Sequence, residues 1–361
     1  MATCSSFFSR LLTVGALLPA LGACGQRPPS TTRMHPYQTE KFLLTAGPCA
    51  ADGYWATIQG GAFLCSDGTG FGVPAGHTLE GGWGASGTYT ASGDDRHPAP
   101  ERLSLTWFAY AEDVFYKGEF ALPQEKIHAL LKQGSWDLKK NKPVTYDQLV
   151  VCVLPQGGVA VWLAGGNQVL LGRYQAQPFT PTPAQYERYY GRVDRALMVK
   201  NTRAELPAHV QAEIQAGTVS VKPWDERLKT YPWKVEFAQP LTLYRYELGF
   251  VNGERTSDPL TREGMEAYRN VLLQPGAKAL PEDFYLFGQA PHKARYLVRV
   301  KAFDQAELRA AAEQLLKAHP ASPLTFYFAI DKPYQKAALS LKNEWREIPL
   351  AKTPVEVLSE D

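Results

Sequence analysis

No run of basic residues extends beyond Lys139-Lys140-Asn141-Lys142, and the 361-residue chain carries a formal net charge of only +2. A surface that steers toward nucleic acid or a polybasic membrane patch needs a far larger excess of one sign, so neither partner is expected. Histidine is scarce, at seven residues, and none falls in a His-Glu-x-x-His or similar ligand spacing. His209 and Glu213 are four apart on an expected helix, but no third ligand accompanies them, and they read as a surface pair. No metal and no cofactor is expected. Nucleophile signatures are missing as well. Gly84-Ala85-Ser86-Gly87 lacks the final glycine of a nucleophile elbow and lies in a glycine-rich loop. Glu112-Asp113 reads as a solvated charge pair at a hairpin end, not as an acid/base couple. The glycines between 60 and 87 do not lead into a helix whose N-terminus could hold phosphate, and they read as turns and close strand crossings. No catalytic residue is nominated, and an enzyme is the less favoured reading.

Beyond the N-terminus, no apolar run approaches the roughly 20 residues of a membrane-spanning helix. The N-terminus itself reads as an export signal. Arg10 supplies the positive charge, Leu11 to Ala20 form a short apolar stretch, and Leu21-Gly22-Ala23-Cys24 has the order of a lipobox. Residues 1–23 are expected to be removed after Ala23, with Cys24 as the lipid attachment point. Gly25 follows, where aspartate would signal retention in the inner membrane. The expectation is a lipoprotein of the outer membrane of a Gram-negative bacterium, held at its periplasmic face by acyl chains. Residues 24–37 are polar and proline-rich, as an extended tether is.

Of five cysteines, Cys49, Cys65 and Cys152 remain for the mature chain. In an oxidising compartment the preferred pairing is Cys49 with Cys65, both in glycine-rich strand and turn sequence. Cys152, inside Leu149-Val150-Val151-Cys152-Val153-Leu154, reads as a small buried hydrophobe, and other pairings stay open.

With 45% hydrophobic and 20% charged residues, the chain has the composition of a globular protein. Leu103, Leu105, Trp107 and Ala109 alternate as in a half-buried strand, and Val114, Tyr116, Phe120 and Leu122 follow after a short turn. Pro123 opens a helix with Ile127, Leu130 and Leu131 on its apolar stripe and Gly134 at its end. Continuous apolar runs at 149–154 and 159–164 predict the buried middle of a sheet. Pro178, Pro181 and Pro183 mark the best boundary, since such a density of proline resists helix and sheet alike. Beyond it come short helices near Tyr186 and over 208–215, then a strand over Tyr244 to Phe250 ending in Asn252-Gly253. Asp304 and Glu307 have capping-box spacing before the stripe Leu308, Ala311, Ala312, Leu315. The flanking strands, around Val298 and Phe326, would be parallel neighbours or a hairpin-like pair in an α+β layer. The expected fold is α+β and mainly antiparallel, with a β-rich domain over 38–177, a proline-rich linker over 178–184 and an α+β domain over 185–361. Both halves run strand, strand, helix, strand, the order a diverged duplication would leave.

Eight tryptophans are many for this length. Trp107 and Trp162 sit on apolar strand faces, whereas Trp83, Trp136, Trp224 and Trp233 lie in loops or beside glycine and proline. Those four are the candidate partner-binding aromatics.

One family shares the pattern. Pro100-Glu101-Arg102-Leu103-Ser104-Leu105-Thr106-Trp107, then Val114-Phe115-Tyr116, Phe120-Ala121-Leu122-Pro123 and Leu154-Pro155-Gln156-Gly157-Gly158-Val159-Ala160-Val161-Trp162-Leu163 resemble a family of Gram-negative lipoproteins known only as a domain of unknown function. Gly81-Gly82-Trp83-Gly84 and the lipobox fit it too. The resemblance spans about Tyr54 to Arg173 and implies an exported lipoprotein without an established catalytic site. Some members are linked to type VI secretion phospholipase effectors, which implies an immunity role. The function expected is capture and neutralisation of a secreted antibacterial effector. The alternatives are a structural or accessory envelope lipoprotein and an unrecognised hydrolase.

Overall fold

The computed structural model describes residues 34–87, 96–137, 140, 142–259 and 272–360. The signal segment, Ala23, Cys24 and nearly all of the tether lie outside the described residues. Strands dominate and most pairings are antiparallel, so the fold is α+β. His35–Asp361 forms one compact unit.

Two copies of one strand plan build that unit. In the first, Thr45–Ala50 pairs in parallel with Gln148–Val153, which continues antiparallel to Gly158–Ala164 and then to Gln168–Gln175. Ala56–Cys65 lies between Gly70–Gly72 and Pro100–Ala109, followed outward by Val114–Ala121 and Gln177–Phe179. The helix Gln124–Gln133 connects the second set of strands to the first. The second copy repeats every step. Thr230–Phe237 pairs in parallel with Leu324–Ile330, followed by Ala337–Lys342 and Glu347–Pro349. Thr242–Phe250 lies between Arg255–Pro259 and Pro281–Gln289, followed by Arg295–Val300 and Glu356–Ser359. Its helix is Gln305–Ala318. That helix runs from one sheet to the other, so its flanking strands are neither parallel neighbours nor a hairpin.

The correspondence reaches the register. Ala56–Cys65 has irregularities at Ile58/Gly60 and Leu64/Cys65, and Thr242–Phe250 has them at Leu243/Arg245 and Gly249/Phe250. Pro100 stands opposite Cys65, as Pro281 stands opposite Phe250. The turns that follow are closed alike. The Cys65 N–H donates to the Thr69 carbonyl (2.9 Å), and the Phe250 N–H donates to the Glu254 carbonyl (3.0 Å). Asp67 accepts from the Thr69 N–H (3.0 Å), and Asn252 accepts from the Glu254 N–H (3.1 Å). Gly68 and Gly253 both sit at φ 80°, where a side chain would be strained.

Each repeat buries its own core between its two sets of strands. The first gathers Phe63, Leu103, Trp107, Leu149, Val151 and Val161 over Ile127 and Leu131 of its helix. The second gathers Trp233, Tyr246, Phe284, Phe326 and Phe328 over Leu308, Ala312 and Leu315. The apolar runs at 149–154 and 159–164 are continuous because both faces of those strands are covered. Their outer face, carrying Val150, Cys152, Ala160 and Trp162, packs under Leu206, Val210 and Trp224 of the connecting helices. Prolines 178 to 183 do not interrupt the structure. Pro178 lies on an edge strand opposite Tyr116, where its missing N–H is tolerated, and Pro183 opens the helix Pro183–Tyr190 beneath the Thr182 cap.

The repeats join edge to edge in a nine-stranded sheet through one register pair, Gln168 with Arg255. Side chains reinforce this thin seam. Trp162 Nε1–H donates to the Asn252 carbonyl (3.0 Å), Trp83 Nε1–H to the Val251 carbonyl (2.9 Å), and Gln168 Nε2–H to the Gly253 carbonyl (2.6 Å). Asn167 Oδ1 accepts from the Ser257 N–H (2.8 Å). A Cβ on Gly253 would sit 3.2 Å from the Trp162 ring, whereas one on Gly68 would meet nothing within 4 Å. Gly68→Ala should therefore cost only the backbone strain of about 1 kcal/mol, and Gly253→Ala roughly 2–4 kcal/mol because crowding adds to it. Urea unfolding of the two variants checks this; equal losses would remove Trp162 contact from the account.

Candidate functional site

The seam leaves a groove on the surface. At one end a cleft of about 680 Å³ opens between the Asp52 and Gly82-Trp83 turns, the short helix Lys222–Arg227 and the start of Gln305–Ala318. Arg255 also lines a neighbouring depression of about 340 Å³ floored by Glu247, Ser257, Asp283 and Tyr285. Glu247, Ser257 and Gly166 in turn line a third, of about 610 Å³, that ends at Trp136 and Asp137. Shared lining residues make the three one trough along the seam.

Its chemistry is that of alternating charge. Asp52 accepts from the Gly82 and Trp83 N–H groups (3.0 and 3.3 Å) and stands 3.8 Å from Arg227. Arg245 pairs with Glu247 on the sheet face and stacks over the Phe287 ring at 4.3 Å. The guanidinium groups of Arg255 and Arg309 make no ion pair or hydrogen bond among the described residues. Burial raises the Asp283 carboxyl above its ordinary range, while the nearby Arg255 guanidinium pulls it back. Such a surface offers bidentate donors and carboxylate acceptors around a partly buried indole. It suits a polar protein segment better than a greasy small molecule.

The four nominated tryptophans divide unequally. Trp83 is half-buried at the mouth of the cleft and packs edge-on against Trp162, with centroids 4.9 Å apart. Trp136 borders the far end of the groove but is only 4% exposed. Trp224 (4%) and Trp233 (0%) are core residues, so they are corrected from contact aromatics to packing. Trp224 closes on Tyr54 at 5.0 Å beneath its helix, and Trp233 sits on a strand among Phe250, Phe284 and Phe326. Proximity to proline misplaced both: Pro223 opens a short helix, and Pro232 is an ordinary strand residue opposite Ala277. The exposed indole is Trp345, which stacks on His319 at 3.6 Å.

The preferred cysteine pairing is also corrected. Cys49, Cys65 and Cys152 are all free thiols in this structure; Cys49 and Cys65 lie in different sheets, and Cys65 donates its S–H to the Pro98 carbonyl (3.3 Å). Burial pushes the Cys65 thiol up to about 11.

Ser86, Glu213, His209 and Asp113 have plain structural roles. Ser86 Oγ–H donates to Gln148 Oε1 (2.9 Å). Glu213 accepts from the Tyr54 hydroxyl, and the His209 ring stands edge-on to Tyr54 at 6.5 Å. Asp113 pairs with Arg195 at 2.7 Å. Glu112 is not a solvated turn charge, because it accepts from the Gln156 N–H (2.9 Å) and the Tyr116 hydroxyl (3.0 Å) while burial raises its carboxyl. Among the described residues, no group of three or more His, Cys, Asp and Glu is placed to hold a metal ion, and no helix is long and apolar enough to cross a membrane.

Asp258, on the strand that carries Arg255, is 1% exposed and accepts from the Tyr246 and Thr256 hydroxyls (3.1 Å each). Burial raises its carboxyl above the ordinary 3.8 in spite of those bonds. The folded state therefore favours the protonated form. As pH rises from the ordinary value through the raised one, the unfolded chain ionises first and stability falls. Asp258→Asn keeps an acceptor for the two hydroxyls and escapes that loss. The variant should match the parent at acid pH and exceed it at neutral pH in urea unfolding. A difference that does not change with pH would contradict the assignment.

No characterised protein and no solved structure matches this chain. A family described as "Protein of unknown function (DUF2931)" matches residues 30–222, which takes in the first repeat and most of the connecting helices and leaves the second repeat outside. The match covers more than half of the sequence, and the chain belongs to that family.

Proposed function

We propose that this protein is a periplasm-facing lipoprotein that binds and neutralises a secreted antibacterial effector, and that the groove between its repeats is the contact surface. The observation that carries the reading is the trough itself. It offers Trp83 at one end, two arginines whose guanidinium groups make no ion pair or hydrogen bond among the described residues, and an alternation of guanidinium and carboxylate groups. Interfaces of this kind take their affinity from a few aromatic and arginine anchors and their selectivity from matched charge. The lipobox resemblance adds a tether at Cys24, which would hold the protein at the surface a lipase attacks and raise its effective concentration there. A type VI lipase toxin is the effector class that the family resemblance favours.

The test is a pull-down of the tagged full chain from envelopes of cells grown against a competitor, with the captured proteins identified by mass spectrometry. A stoichiometric lipase-like partner is expected. The double variant Arg255→Glu/Arg309→Glu should weaken its binding by about tenfold or more, near 1.4 kcal/mol, with an unchanged circular dichroism spectrum. Trp345→Ala, remote from the groove, should bind as the parent does. Recovery of envelope components alone would favour the accessory-lipoprotein reading, and undiminished binding by the double variant would move the contact off the groove. Cys24→Ala should abolish labelling by a radioactive fatty acid; retained label would end the anchor assignment.

A further inference from the structure

The first and second strands of the nine-stranded sheet bring two cysteines side by side. Thr45–Ala50 and Gln148–Val153 are parallel neighbours, and in their register Cys49 stands directly opposite Cys152. Residues opposite one another on adjacent strands point to the same face, at a spacing that a disulfide spans. Both side chains belong to the cluster beneath the connecting helices, with exposures of 1% and 0%. We propose that the mature protein carries a Cys49–Cys152 disulfide, with Cys65 left as the one thiol of the folded chain. The proposal rests on the oxidising compartment of the preceding reading for its oxidant, but its geometry does not.

Three further observations support the pairing. Cys65 is in the other sheet, donates its S–H to the Pro98 carbonyl, and stands opposite Pro100 in its register, beside neither partner. The parallel strand pair of the second repeat, Thr230–Phe237 with Leu324–Ile330, contains no cysteine, so the strand plan does not itself require one there. Burial and the neighbouring Cys49 drive the Cys152 thiol well above its ordinary range, so the completed fold suppresses its thiolate. Bond formation therefore belongs to folding, before the helices close over the strands. Two S–H bonds break and one S–S bond forms. Two protons and two electrons pass by thiol–disulfide exchange to a disulfide donor, which leaves as a dithiol. The link closes a loop of roughly 100 residues and fastens the first strand of the sheet, the one nearest the expected lipid tether.

The experiment has two arms. In the first, the full chain is recovered from cell envelopes under acid quench, alkylated with N-ethylmaleimide without reduction, and mapped by peptide mass spectrometry. In the second, the reduced and unfolded chain is refolded with oxidised glutathione and mapped in the same way. The expected result in both is a Cys49 peptide joined to a Cys152 peptide, with maleimide on Cys65. Linkage on refolding alone would show that the geometry permits the pairing but overturn the disulfide of the mature protein together with the oxidising-compartment reading. Three alkylated cysteines in both arms, or any link through Cys65, would overturn the proposal. A reductant should lower the Tm of the parent and of Cys65→Ala by roughly 3–8 °C, and leave Cys49→Ala/Cys152→Ala unmoved.

Discussion

The hydrogen bond from Trp162 Nε1–H to the Asn252 carbonyl, 3.0 Å long at a fully buried indole, holds the two halves of the molecule in one sheet. Backbone pairing contributes a single register pair at that junction, so side chains must supply the rest. The Asn252-Gly253 turn can lie flat on the indole because Gly253 has no Cβ and accepts φ 80°. Asn252 in turn uses its amide inside the turn, accepting from the Glu254 N–H and donating to Glu254 Oε2 (2.8 Å). The other carboxylate oxygen of Glu254 takes the Leu170 N–H across the seam (2.9 Å). An indole donor inside a core needs an acceptor, and here the acceptor belongs to the other repeat.

The repeated strand plan explains why the junction looks as it does. The same Asx-Gly turn occurs in the first repeat at Asp67-Gly68, bonded in the same way but exposed beside Lys41. A turn that is surface decoration in one copy is the docking element in the other. The two differ in the residue they meet, not in the turn. The seam is also asymmetric, since the Gln168–Gln175 edge of the first repeat meets the Arg255–Pro259 edge of the second. Such head-to-tail joining leaves the complementary edges, Gly70–Gly72 and Glu347–Pro349, at the ends of their sheets. Both are three residues long, one with glycine at each end and one closed by proline beside charged residues, features that discourage further strand addition.

Much of the secondary structure was legible from periodicity: the Leu103–Ala109 strand, the Pro123 and Gly134 limits of the first helix, the Asn252-Gly253 turn and the Asp304 cap all follow local rules. The capping box is half realised, because Asp304 accepts from the Glu307 N–H while the Glu307 carboxylate serves the Lys352 N–H instead. The duplication was legible only as an order of elements. The register of Ala56–Cys65 with Pro100–Ala109 recurs in Thr242–Phe250 with Pro281–Gln289 while the side chains have diverged, with Leu103 matched by Phe284 and Trp107 by Gly288, so identity fades where topology persists. Trp224 and Trp233 were misplaced because proline beside an aromatic suggests a loop, and long-range burial decides otherwise. The groove was out of reach for a similar reason: Trp83, Arg255 and Arg309 are remote in sequence and converge only through the fold.

Tandem repetition also bears on why a groove exists at all. A single repeat would expose the Gln168–Gln175 edge and the flank of Trp162, an unpaired strand beside a large indole. Covering them with a second repeat satisfies the edge through very few backbone bonds, so the two sheets meet without filling the space above the seam. The walls of the trough come from opposite repeats, Asp52 and Trp83 from one and Arg255 and Arg309 from the other. Binding chemistry placed there is specific to the joined form, and neither repeat alone presents it. Residues that hold the seam, such as Trp162 and Gly253, therefore govern the shape of the groove without lining it.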